Sequence, residues 1–423
     1  MDQAAFLEML GKAPYWAELV RMKDSVLSLV SQLSAMNLMI LGSLVMMIWQ
    51  RYAANKQAQI NAQKKFNTLL DASDYPPIEP LESFHWEKTE PIKLCPFKPK
   101  YHLTMALETL NPNDLIPIDK TYKERITYRR KLLKQYPDIV IGVNNSGSNN
   151  NDPRTRRAVE ELYTYVMGIY LPNRYPTMFK LVQSDFETGK FLMVQNLVTN
   201  ELFPTQLNPT RPLESTLQTL IKTVDEDMLI LLPELDRDGD GKPTPTSDDE
   251  PKYILEAYAA CYPAGFDTRK KLGKRLSEIH GPVPGYKRKL EKSMDRFFHR
   301  LEVGKYVKRV NWSITTGAEL FAAFGGMHGE QEEEMRELRV EELDLDNTFL
   351  RCERQTLYRL PHSGALVFGF HTYRYPIQEV KDDGSGEDLV AAIDGFKEGT
   401  SPQMLDYKRV PEWGQAVKDF MRG

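Results

Sequence analysis

Little in this sequence is spaced for chemistry. Its seven histidines (His85, His102, His280, His299, His328, His362 and His371) show no paired metal-ligand spacing, and Cys95, Cys261 and Cys352 form no CxxC. GxGxxG, Walker, GxSxG, HExxH and protein-kinase motifs are all missing. One histidine stands apart. Leu272, Leu276, Ile279 and His280 fall at i, i+4, i+7 and i+8, one face of a helix predicted over Thr268–His280, while Lys270, Lys271, Lys274 and Glu278 take the other. Asp267 caps that helix and Gly281-Pro282 stops it. An imidazole turned inward from leucines has two readings: a core histidine bonded to a backbone carbonyl, or the axial ligand of a haem. Periodicity does not choose between them.

The elements around it are mixed. Helical spacing predicts helices over Asp119–Tyr136, Arg156–Tyr170 and Glu387–Arg422, and another carrying Leu290, Met294, Phe297, Phe298 and Leu301 as its stripe. The period then changes to two: Tyr306–Thr315, Thr348–Tyr358 and Ala365–Tyr375 read as strands, the last two forming a hairpin across residues 360–364. That hairpin brings His362 and His371 within possible reach of each other. Helices and strands segregate more than they alternate, so the expected class is α+β with an antiparallel sheet. Residues 144–152 and 236–250 read as low-complexity loops. The second opens like an EF-hand, with Asp236, Asp238, Asp240 and Gly241 in place, but Ser247 stands where a bidentate Glu belongs, and Pro243 and Pro245 bar a following helix. Residues 330–346, rich in acids, read as a solvated face.

Composition sets the frame. The 423 residues carry 55 basic and 59 acidic side chains, a net charge of −4, which argues against binding nucleic acid through phosphate neutralisation. Three cysteines build neither a disulfide framework nor a four-cysteine iron–sulfur site. From Ser25 to Gln50 no residue is charged, and about 20 apolar residues cross a hydrocarbon core of ~30 Å. With Trp49 and Arg51 at its end, this stretch is expected to be a single transmembrane anchor. Residues 1–24 precede it, residues 51–82 form a stalk, and a globular body spans 83–423. Flanking cations lean to a cytosolic body, in the endoplasmic reticulum membrane if the cell is eukaryotic. The triplets at Asn144 and Asn311 would argue for the opposite face if glycosylated.

Several stretches resemble one family. They are LNPNDLIPID at 110–119, YLPNRYP at 170–176, CYP at 261–263, KLGKRLSEIHGPVPGY at 271–286, VNW at 310–312 and ERQTLYRLP at 353–361. In this order, across roughly residues 85–415, they are similar to the haem-dependent oxidative N-demethylase α-subunit family. The resemblance implies a haem-binding PAS-like fold with helical additions. It also implies O₂- and reductant-dependent removal of a methyl group from a small secondary amine, dimethylamine in the bacterial case. On that footing His280 is the expected iron ligand of haem b, with Cys261 or Cys352 as thiolate rivals. Arg354 and Arg359 are expected at the haem propionates or the distal pocket, as arginine bonds carboxylates in pairs, and Glu353 is expected to orient the cationic amine. The bacterial enzymes are soluble assemblies with flavin, iron–sulfur and folate sites on partner chains. This chain has no such carriers, so its electrons are expected from a separate flavin or iron–sulfur reductase. A haem-based gas or redox sensor and a haem-free structural protein are the alternatives on the same scaffold.

Overall fold

The computed structural model describes residues 39–54 (residue 41 apart), 72–144, 152–186, 189–205, 211–237, 243–245, 251–317, 319–324 and 335–423. The chain divides into two units, residues 1–69 and 70–423. In the first, residues 39, 40 and 42–54 are helical, and Met39, Ile40, Leu44, Val45, Met46, Met47, Ile48 and Trp49 are exposed. Among the described residues no helix is long and apolar enough to cross a membrane. The expected anchor is therefore not found as a span; its first half, residues 25–38, lies outside the described residues, as does the stalk over 55–71.

The second unit begins earlier than residue 83. Tyr75 is buried and its hydroxyl donates to Glu161 Oε1 at 3.0 Å, while Leu81 N–H donates to Arg174 O at 2.9 Å, so this stretch belongs to the body. Strands β1 (Glu108–Thr109) and β2 (Ile141–Val143) come first, followed by a separate antiparallel meander of β3 (Phe179–Phe186), β4 (Gly189–Asn196) and β5 (Glu201–Pro204). Then come β6 (Asp227–Pro233), a small hairpin of β7 (Leu235–Arg237) and β8 (Pro243–Pro245), and β9 (Tyr253–Ala259). The long strands β10 (Tyr306–Thr316), β11 (Thr348–Arg359) and β12 (Leu366–Pro376) close the set. The main sheet is antiparallel throughout, in the order β1-β10-β11-β12-β6-β9-β2, so the α+β expectation holds.

The stretch carrying His280 departs from expectation. It is not one helix but a 3₁₀ turn at Thr268–Lys271 and a single α-turn at Leu276–Ile279. Between them Gly273 takes a φ of +74°, open to glycine, and exchanges backbone hydrogen bonds with β9: Gly273 N–H to Leu255 O at 2.8 Å, and Leu255 N–H to Lys274 O at 3.1 Å. Pairing with a sheet edge here replaces helix continuation. Beyond it, Glu291–Arg300 forms the expected amphipathic helix, burying Leu290, Met294, Phe298 and Leu301. Helices Gly386–Glu398 and Val410–Arg422 pack Leu389, Phe396, Trp413 and Val417 against Trp312, Cys352 and Tyr373 of the sheet.

Candidate active site

Alternation along the hydrogen-bonded strands decides which side chains meet. On β10, Val307, Arg309 and Asn311 pair with Leu357, Gln355 and Glu353 of β11, and these in turn with Phe368, Phe370 and Thr372 of β12. All of these but Thr372, together with Leu229, Leu231 and Leu255, floor a cleft of about 260 Å³. Its opposite wall is residues 276–298, which contribute Leu276, Ile279, His280, Tyr286, Met294 and Phe298. Leu103, Met105, Met404 and Lys408 close the sides.

His280 presents one ring nitrogen to this space. Its Nδ1 lies 2.8 Å from Leu276 O, and a carbonyl only accepts, so Nδ1 carries the hydrogen and Nε2 keeps its lone pair. The ring stacks on Tyr286, centroids 4.9 Å apart. Burial pushes the imidazole down to about 4, against the opposing pull of the Leu276 carbonyl, so it is neutral at pH 7. A neutral imidazole whose second nitrogen is pinned to a carbonyl is the arrangement that metal-ligating histidines adopt.

The floor carries the charge. Glu353 is buried, and its Oε2 accepts from Gln355 Nε2 at 3.1 Å and Asn311 Nδ2 at 3.4 Å. Past Lys308 no strand pairs the outer edge of β10 among the described residues, and Lys408 covers it, donating from Nζ to Trp312 O and to Asn311 Oδ1 at 3.1 Å. Burial lowers the Lys408 ammonium to about 8, with Glu353 opposing that fall. Burial also lowers Arg309, whose Nε is enclosed without a hydrogen-bond partner among the described residues. Two cations thus face one carboxylate beside an apolar space. An amphipathic ligand with acidic groups would complete the set.

The family comparison now falls on a described site. The model of the family described as haem-dependent oxidative N-demethylase, alpha subunit-like, matches residues 106–418. The chain belongs to that family. Haem-dependent oxidative demethylation is accordingly the class of chemistry against which the cleft is tested. The family's name implies haem, and the donor set here suits an iron porphyrin: a single free imidazole nitrogen, apolar walls, and an orphaned guanidinium nitrogen next to a buried ammonium. Among the described residues no group of three or more His, Cys, Asp and Glu side chains could hold a metal ion unaided.

Of the residues singled out from the sequence, the structure brings His280 and Glu353 into this cleft and leaves the arginines out. Arg354 sits one residue over on β11, hence on the other face, and gives its guanidinium to the carbonyls of Asp114 and Leu115. Arg359 shares the face of Glu353 but stands at the hairpin end, donating to Leu301 O, Phe298 O, Gly364 O and Tyr253 Oη. Both are tied to the fold through backbone carbonyls, and neither lines this cleft. The thiolate rivals are also outside the cleft. Cys261 is fully buried and its thiol is pushed up to about 12; Cys352 packs under the C-terminal helices with its thiol likewise raised by burial. Neither is poised to be a thiolate.

Other expectations resolve as well. His362 and His371 do not meet: His362 faces Asp74 at 3.8 Å and Tyr75, while His371 lies between Asp225 and Glu226. The Asn144 amide donates to Glu256 Oε2 at 2.9 Å and the Asn311 amide to Glu353, so both asparagine side chains are engaged within the fold. Arg309 and Lys408 were missed. In the sequence they are one basic residue on a strand and one in a short connection, 99 positions apart, and only the folded edge of β10 joins them.

Proposed function

We propose that the cleft seats haem b through His280 Nε2, and that the protein removes a methyl group from a small N-methylated amine at the expense of O₂ and a reductant. The observation that carries this reading is the Nδ1–Leu276 hydrogen bond, which fixes the tautomer and leaves Nε2 free in an apolar cleft. When bound, haem iron supplies O₂ binding and activation. The chain's own part is positional. Leu229, Leu255, Leu357 and Phe368 exclude water, Arg309 and Lys408 are the cations that would hold the porphyrin carboxylates, and Glu353 is the anion that would meet a protonated amine. Asn311 and Gln355 hold that carboxylate in place through its Oε2.

Support for a PAS-like core comes from β6, β9, β10, β11 and β12. They lie in the order β9-β6-β12-β11-β10, with the His280 segment crossing between the second and third strands in sequence. The uncharged run at 25–50 and the exposed apolar side chains from Leu44 to Trp49 support a membrane tether for the body. Retention of the full chain in membranes washed with alkaline carbonate tests that tether, and release into the wash overturns it.

The activity test uses the full chain reconstituted with haemin. Formaldehyde should form from dimethylamine only when both reductant and O₂ are present. Glu353→Gln keeps the hydrogen bonds but removes the charge, so KM for the cationic amine should rise about tenfold, in line with ~1.4 kcal/mol of lost pairing, with haem absorbance intact. Unchanged kinetics in that variant remove Glu353 from the amine site.

A further inference from the structure

The wall that carries His280 has a second side. Residues 269–305 hold twelve basic and four acidic side chains, a local net charge of +8 in a chain whose total is −4. Leu276, Ile279, His280, Tyr286, Met294 and Phe298 turn into the cleft. Lys270, Lys274, Lys287, Arg288, Lys292 and Arg300 are exposed on the outside, and their side chains make no ion pair among the described residues. Three of the four acids are engaged: Asp295 is buried and holds Lys252 at 2.5 Å, Glu302 pairs with Lys305 at 2.7 Å, and Glu278 accepts from Arg275 N–H at 2.9 Å. The cationic surface is therefore the back of the wall proposed to ligate iron.

Demethylation consumes electrons. An N-methylamine, one O₂, two electrons and two protons give the demethylated amine, formaldehyde and water, so a reductant must deliver two electrons for each methyl group removed. The three cysteines are dispersed and two are buried, and no dinucleotide fingerprint is present, so this chain carries no visible electron store of its own. We infer that the outer surface of residues 269–305 docks an acidic protein carrying one electron at a time, which reduces the cofactor across this wall; the inference rests on the haem reading above. Electrostatic complementarity suits such a partner: it speeds encounter and orients a small, short-lived interface. An anionic bilayer would also meet these cations, but it draws nothing from their position behind His280.

Titration calorimetry of the full chain with an acidic [2Fe–2S] ferredoxin, at low and high salt, tests the surface directly. Wild type should bind, and more weakly as salt rises. The combined variant Lys270→Glu, Lys274→Glu, Lys287→Glu should bind at least ~10-fold more weakly and take electrons from ferredoxin correspondingly more slowly, with its haem absorbance and its reduction by dithionite unchanged. A control variant, Lys123→Glu, Lys131→Glu, Lys134→Glu, reverses three exposed charges on another helix and should bind as wild type does. Equal ferredoxin binding by the first variant and wild type overturns the inference. So does a surface that ignores ferredoxin yet holds phosphatidylserine vesicles until those three lysines are reversed. Calorimetry needs no haem: a chain that takes up no haem but binds ferredoxin in this charge-dependent way sinks the haem reading and leaves the docking surface standing.

Discussion

Two regions of this molecule bury charge, and they bury it differently. Around the start of β6, Arg129 is 1% exposed and matched to Asp227 at 2.6 Å, while the same carboxylate accepts the backbone N–H groups of Cys261 and Tyr262. Arg125 covers Asp225 in the same way, holding that carboxyl below the usual range although burial alone would raise it. In the cleft, Arg309 and Lys408 face one carboxylate with open space alongside; Arg309 Nε has no hydrogen-bond partner among the described residues, as Arg125 Nη2 and Arg129 Nε have none, but those two guanidinium groups each hold a carboxylate directly and border no such space. Closed ion pairs hold a fold together, whereas unmatched cations beside an apolar space are set for a ligand. The contrast separates structure from function more sharply than residue type does, since both regions are built from arginines and acids.

Breaking the closed region should have the largest effect. Arg129→Ala leaves Asp227 charged and buried, and full-length protein should lose about 3–5 kcal/mol in urea unfolding. A loss below ~1 kcal/mol would mean that water reaches the pair and that the two regions do not differ.

The cleft should answer to pH instead. Lys408 loses its proton in the native state at about 8, against 10.5 for the free side chain. Between these values the unfolded chain binds more protons, so wild-type stability gains from Lys408 as pH rises through that window, and the cost of the buried ammonium is fully present below it. Lys408→Met should remove a gain on the order of 3 kcal/mol, read as the difference between the two unfolding curves. Parallel curves would show an ammonium that is already fully compensated.

The smallest effect sharpens the boundary between the regions. Glu226 is buried, and neither carboxylate oxygen has a hydrogen bond of ordinary geometry among the described residues; His371 Nδ1 lies 3.4 Å away. Burial raises this carboxyl, so the native state holds its proton to higher pH than the unfolded chain does, and stability falls as pH rises above the ordinary carboxyl range. Glu226→Gln should cancel that fall, leaving the protein equal to wild type or up to ~1 kcal/mol more stable at neutral pH. A loss like that of Arg129→Ala would place Glu226 among the closed ion pairs.

How much of this was legible beforehand follows the same physics. Period-2 patterning found β10, β11 and β12 within a residue or two, and helical spacing found Tyr122–Gln135 and Glu291–Arg300. Strands β6 and β9 went unread because runs such as DMLILLP, buried on both sides, carry no alternation to distinguish strand from helix. The apolar face of Leu276, Ile279 and His280 was visible, yet the break at Gly273 was not, since it depends on pairing with β9 from elsewhere in the chain. Alternation placed Glu353 and Arg354 on opposite faces of β11 without saying which face overlies a cavity. That choice is made by residues 276–298, so Glu353 fell inside and Arg354 outside.

The central claim is that His280 Nε2 is an iron ligand, and the absorption spectrum of the full chain titrated with haemin tests it most directly. The account predicts a saturable, ligand-shifted Soret band in wild type. In His280→Ala that band should be lost or moved, with the urea midpoint lowered only by what the Leu276 hydrogen bond and the Tyr286 stacking contribute. A variant whose band and haem affinity match wild type contradicts the claim.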